Sequence, residues 1–352
     1  MGLGIAIAVG GTPDEELSDA IWVEVHERMG ETTIYRIHYE IDVRDGDFPT
    51  LIDSRLDADA ELAIIAPFDG RNNYLVKGPV TSQQIHFTHG AAGSYVEVMG
   101  GDTSVVMDRE AKSAAWADGT DSDAVRSILG QYGYAPDVES TQAGHFEEKH
   151  TLIQRDSDLR FVRRLARRNG FLFWITCDES GNEMAHFKRP PLDGNPTGNI
   201  DINLGTNNIA TLDLRWDVDR PTRVASSQLN LNDKSIIDGA VANSPLPPLG
   251  ASALGDIVTE PRSIHLAAPV DDSGDLQARG EGSLIDSGWF VRATGQTSVQ
   301  ALNAILRANS IVNLRGVGTR HSGKYYVASV RHLIDPSAHT MEFELIRNGW
   351  GN

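Results

Sequence analysis

Gln154-Arg-Asp-Ser-Asp-Leu-Arg-Phe-Val-Arg-Arg-Leu-Ala-Arg-Arg-Asn-Gly-Phe-Leu-Phe-Trp174 is the stretch on which the fold turns. Asp156 or Ser157 can cap a helix whose apolar positions Leu159, Val162, Leu165 and Ala166 make one stripe. Asp158 falls in the positive first turn, while Arg163, Arg164, Arg167 and Arg168 lie toward the negative end, so the charges follow the helix dipole. Asn169-Gly170 supplies a left-handed stop. Residues 171–177, apolar except for Thr176, then read as a buried strand packed back on that helix. Upstream, Asp121 or Ser122 can cap another helix carrying Ala124, Val125, Ile128 and Leu129, ended by Gly130 or Gly133. Residues 116–199 therefore read as an α/β insert.

Toward the amino terminus the period changes to two. Tyr35, Ile37, Tyr39, Ile41 and Val43 alternate with Arg36, His38, Glu40 and Asp42, the pattern of a strand with one wet face. Shorter strands are expected at 61–66, 73–76, 84–87 and 95–99, separated by turns at Asp69-Gly70, Gly78-Pro79, Gly90 with Gly93, and Gly100-Gly101. Residues 1–115 thus read as a small antiparallel barrel or sandwich.

Beyond the insert, Leu212, Leu214, Trp216 and Val218 alternate with Asp213, Arg215, Asp217 and Asp219, which places Trp216 on a buried face. Residues 232–282 are rich in Pro, Gly, Ala, Ser and Asp and read as an extended loop or a small accessory domain. Ser298 can cap a helix with Val299, Leu302, Ile305 and Leu306 inward, followed by strands at 324–334 and 340–346 joined at Asp335-Pro336. Residues 200–231 and 283–352 form the second, discontinuous β unit.

Composition narrows the function. The 352 residues and 38.3 kDa call for two or more packed units, and 40% hydrophobic content suffices for their cores. Thirty-one basic against 49 acidic residues leave a net charge of -18, which repels nucleic acid and anionic lipid. No run of about 18 apolar residues offers a membrane span. The apolar residues 2–9 lack a basic flank, so no cleaved leader is expected. Cys177 is the single cysteine, which excludes an intramolecular disulfide and is compatible with folding in the cytoplasm.

Two segments together resemble the late control D family of contractile phage tails and the amino-terminal part of VgrG proteins. The helix and strand after Gln154 are similar to the family's acidic helix, with Asp158, Leu159, Phe161, Leu165, Gly170 and Phe173 at the matching positions. A closing pattern follows in Gly323, Tyr326, Val327, His332, Phe343, Arg347 and Asn348. The resemblance implies a mainly β fold with an α/β insert, two tube-like antiparallel β-barrels per subunit, and a trimeric pseudo-hexameric ring. It implies a baseplate hub that adapts a sixfold tail tube to a threefold spike, with itself, the tube protein, the spike and other baseplate subunits as partners, assembled in the cytoplasm into a virion tail or injection particle. Because only four residues follow Asn348, the spike is expected as a separate chain.

Neither catalysis nor a cofactor is expected from the residues. His145 and His150 flank Phe-Glu-Glu-Lys, but on a helix five residues apart they face different ways, so both read as solvated or loop histidines. Asp271, Asp272 and Asp275 fail as a calcium loop, since Leu276 and Gly282 stand where its glycine and glutamate belong, and they read as a solvated acidic loop. His332 shares a strand with Tyr326, Ala328 and Val330 and reads as a packed, hydrogen-bonded histidine on their face; Tyr325-Tyr326 reads as barrel packing. Two other classes stay open: a tail-tip peptidoglycan hydrolase using paired carboxylates, and a carbohydrate-binding adhesion module, which exposed tryptophans would favour.

Overall fold

In the strand Gly323–Ile334 two halves of the chain meet. Its first residues pair with Ile311–Arg315, and its last six, Ser329 to Ile334, pair with Arg28 to Val23 of the strand Trp22–Arg28. The computed structural model describes residues 4–43, 47–90, 92–147, 151–229, 234–266 and 273–351. Through that junction one sheet of 13 strands runs across the molecule. Its order is Leu212–Trp216, Val291–Ser298, His339–Arg347, Gly323–Ile334, Trp22–Arg28, Ile34–Glu40, Tyr95–Gly101, Arg71–His86, Glu61–Phe68, Ala6–Val9 and Thr12–Asp14, with Asn199–Asp201 beside Ile311–Arg315.

The two expected β units are therefore one hydrogen-bonded sheet, and its strand order is open, with free edges, rather than closed. One hydrophobic core underlies both halves, running from Ile7, Val25 and Ile37 to Val327, Phe343 and Leu345. Alternation explains it: Tyr35, Ile37 and Tyr39 point inward while Arg36 and His38 stay outside.

Three local expectations are corrected. Gly78-Pro79 is not a turn, because Arg71–His86 is a single strand with an irregularity between Val80 and Ser82. A side chain at position 78 would collide with the carbonyl oxygen of Gly101, so glycine permits the backbones to cross there. The helix capped by Ser298 ends at Leu302 because Asn303 is left-handed at φ 54°, although Ile305 and Leu306 are still buried. A bulge between Val327 and Ser329 reverses the faces of its strand: Tyr326 and Ala328 join a smaller cluster with Trp289, whereas Val330 faces the main core. His332 thus lies on the face of Val330 and not on that of Tyr326.

The insert is a three-stranded sheet of Ala135–Val138, Glu183–Lys188 and Leu172–Cys177 covered by the helices Asp121–Gln131 and Asp158–Arg168. Phe161, Val162, Leu165 and Phe173 fill its separate core. Thr120, rather than Asp121 or Ser122, caps the first helix in a reciprocal capping box with Asp123. Residues 223–288 contain a third unit: strands Arg223–Leu229, Ile236–Val241 and Ser263–Leu266, with the helix Ser273–Gly288 lying across the first two. It begins at Arg223, with six residues between it and the end of the main-sheet strand Leu212–Trp216.

Candidate assembly surfaces and the residues that hold them

Twelve of the thirteen signature residues are buried, and Gly323 is half-buried with φ 133°. They act as supports, in two separate places. In the insert, Asp158 accepts hydrogen bonds from Tyr132 at 2.6 Å and Gln154 at 2.7 Å, and forms an ion pair with Lys112. Burial opposes its ionisation, yet these donors hold its carboxyl below the usual range. Leu159, Phe161, Leu165 and Phe173 belong to the insert's hydrophobic core.

Gly170 is left-handed at φ 66° and marks where the insert touches the third unit. A Cβ added there would come within 2.5 Å of Ile285 and 2.8 Å of the Gly282 Cα. One added at Gly282 would meet the Gly170 nitrogen at 2.8 Å, so two backbones touch directly.

The second group closes the structure. Arg347, 1% exposed, donates to the Leu249 carbonyl at 2.9 Å, Ser322 at 3.1 Å and Gly351 at 2.6 Å, with its guanidinium 5.4 Å from the Tyr325 ring centre. Asn348 accepts from the Leu249 amide at 2.8 Å and donates to Pro247 at 3.0 Å. Together they clamp the proline-rich segment onto the closing hairpin. His332 is fully buried, 2.9 Å from His339 and 3.3 Å from the Glu27 carboxylate. Burial lowers the pKa of His332, and burial with His332 nearby brings His339 to about 3, so both are neutral at pH 7.

Sequence reasoning missed the partners of these residues. Glu27 also receives Arg307 at 2.6 Å, and Arg307 reaches the carbonyls of Tyr74 and Leu75, tying the two halves together. Asp121 joins the two insert helices, accepting from Arg168 and from Asn169 at 2.7 Å, with His145 at 2.8 Å. His145 is therefore buried and hydrogen-bonded to Asp121 and not solvated; His150 lies outside the described residues. Asp275 is likewise buried, pairing with Arg279 on its own helix, while Asp271 and Asp272 fall outside the described residues. Among the described residues no three His, Cys, Asp or Glu side chains are grouped to hold a metal ion. Arg160, Arg163 and Arg164 pair with Asp108, Glu31 and Asp156 of the same chain.

What remains available lies at sheet edges. Along residues 81–86 the strand Arg71–His86 pairs, among the described residues, only with Tyr95–Gly101, because its other neighbour ends at Glu61 opposite Pro79. Ile85 and Phe87 are 42% and 56% exposed there, with the Phe48 ring tilted against that of Phe87 at 5.0 Å. On the outer face Trp22, His38, Tyr95 and His86 form a ladder of rings 4.6–5.1 Å apart that stops at this edge. At the far end Leu212–Trp216 pairs, among the described residues, only with Val291–Ser298. Trp216 is 48% exposed, against its expected burial, because an edge strand has a neighbour on one side only.

The fold is similar to those of solved tail and type VI secretion system proteins. A 43 kDa tail protein of prophage MuSo2 from Shewanella oneidensis has a TM-score of 0.66 at 13% identity, covering 98% of both chains. A tail protein from Neisseria meningitidis gives 0.66 at 12%, covering 97% of this chain and 96% of that one. A type VI secretion system component from E. coli gives 0.61 at 13%, covering 98% and 79%. No curated protein matches the sequence. Residues 3–336 match the family model described as the Alg8 N-terminal domain, and the chain belongs to that family.

Proposed function

We propose that this chain is a structural hub subunit of a contractile tail or injection machine, acting without catalysis. It forms a homotrimer whose two β units, residues 1–115 and the main-sheet strands within residues 200–231 and 283–352, act as tube-like barrels once neighbours complete their edges. A threefold ring meets a sixfold tube with equal contacts only if each subunit offers two similar surfaces. The partners are then the tube protein on one side, a separate spike on the other, and further baseplate subunits, in a particle assembled in the cytoplasm.

The observation that carries this reading is the pair of unpaired edges, one in each half of the sheet. An exposed edge with Ile85, Phe87 and Trp216 beside it is an aggregation hazard unless another strand covers it. Edge-to-edge pairing of residues 81–86 with Leu212–Trp216 of the next copy is head-to-tail and can close a ring. The fold likeness over nearly the whole chain supports the setting.

Electron microscopy of particles purified with this chain tests the reading, with three copies expected between tube and spike. A folded monomer absent from such particles would overturn it. Clearing of peptidoglycan by the folded protein on a zymogram would instead favour a hydrolase.

A further inference from the structure

Eight strands lie between the two open edges, four on either side of the junction of Gly323–Ile334 with Trp22–Arg28. All seven pairings that join them are antiparallel, so Leu212–Trp216 and residues 81–86 run in opposite directions. In a ring whose strands run along its axis, the rotation that generates the next copy keeps each strand's direction. Leu212–Trp216 of the next copy therefore meets residues 81–86 antiparallel, as the two halves of one chain already meet. In that internal junction the residues of the core face stand opposite one another, Ile334 with Val23 and His332 with Val25. Polar groups on its outer face tie it, Arg331 to Glu24 at 2.8 Å and His26 to Ser329 at 3.0 Å.

We infer that the joint between copies repeats this plan in one register, with Ile85 of one chain opposite Leu214 of the next, His86 opposite Asp213, and Gln84 opposite Arg215. The inference rests on the hub reading and specifies its contact. Gln83 and Ile85 lie across from the buried Val98 and Val96, so Gln84 and His86 face outward. Leu214 and Trp216 lie across from the buried Ala293 and Val291, so Asp213 and Arg215 face outward too.

Four neighbouring registers fail on chemistry. A slip of one residue either way sets Ile85 and Leu214 on opposite faces. A slip of two in one direction puts Gln83 against Leu214 and Phe87 against Ala210, losing both apolar pairs. In the other direction it sets His86 against the Arg215 guanidinium. The inferred register instead places Phe87 against Leu212, which carries the apolar face of the sheet across the joint. On the outer face it ends the ladder of rings at a carboxylate, since Asp213 can accept from the His86 imidazole. Arg215 then lies beside Gln84, whose cross-strand neighbour within its own chain is Glu97. Gln84, His86, Asp213 and Arg215 are all exposed in the single chain, so no buried group has to move to make the joint.

Cysteine pairs on the outer face test the register in purified particles. Directly opposed residues have Cβ atoms about 5 Å apart and diagonal ones about 7 Å, while a disulfide spans about 4 Å. His86→Cys combined with Asp213→Cys, and Gln84→Cys combined with Arg215→Cys, are expected to give covalent trimers on mild oxidation, read on a denaturing gel. The crossed combinations, Gln84→Cys with Asp213→Cys and His86→Cys with Arg215→Cys, should run as monomers. Cys177 can stay in place, because burial pushes its thiol up to about 12 and leaves little thiolate to react. Cross-linking by a crossed combination, or by none of the four, in particles that hold three copies overturns the register and leaves the hub reading standing. Particles that lack three copies of the unaltered chain overturn both.

Discussion

Asp121 and Asp158 in the insert are buried against cations, whereas Arg347 in the closing clamp is buried against carbonyl oxygens. Both arrangements satisfy a desolvated charge, but they fail differently. An ion pair couples two helices through groups that titrate; a guanidinium held by the main chain couples loops through a group that does not. The insert is thus held by chemistry that acid removes, and the clamp by geometry.

The largest effect is expected from Asp121→Ala, which strands Arg168 without its carboxylate and should cost about 3–5 kcal/mol in denaturant unfolding. Arg347→Met should cost about 3 kcal/mol, since it takes the donor from three partly buried carbonyls. Arg347→Lys should not restore it, because one ammonium cannot reproduce the spread of the fork. If both aspartate and arginine variants lost stability equally with pH, the contrast would collapse. Gly170→Ala should cost about 2–3 kcal/mol through strain at positive φ and overlap with Gly282, read as a lower urea midpoint.

Acid separates the two regions further. The folded pKa values of Asp121 and Asp158 lie below the ordinary 3.8, so their contribution is present above that pH and is lost as pH falls through the folded values. Hydrogen exchange below pH 4 should therefore release residues 158–168 before 343–350. Asp102 runs the other way: burial raises it to about 6, so its contribution is present below 3.8 and declines as pH rises through 6. The smallest effect is expected for Trp216→Ala, within about 1 kcal/mol in stability. Its change should appear instead in assembly, measured by light scattering.

Local periodicity made much of this legible. The helix and strand after Gln154 stand where their stripe, cap and stop placed them, because those signals come from neighbouring residues. Arg71–His86 was not legible, since Gly78-Pro79 reads as a turn until the crossing with Gly101 is known. The helix Ser273–Gly288 was hidden by glycines, which lower helix propensity but permit contact with Gly170 and Val241. Glu27, Arg307 and Asp121 carried no local signal, because their partners lie tens to hundreds of residues away.

The junction of Trp22–Arg28 with Gly323–Ile334 also governs how the chain comes into being. About 300 residues separate these partners, and at roughly 5–20 residues per second the first strand waits some 15–60 s on the ribosome for the second. During that interval one edge of Trp22–Arg28 stays without its partner strand, while the other is already paired with Ile34–Glu40.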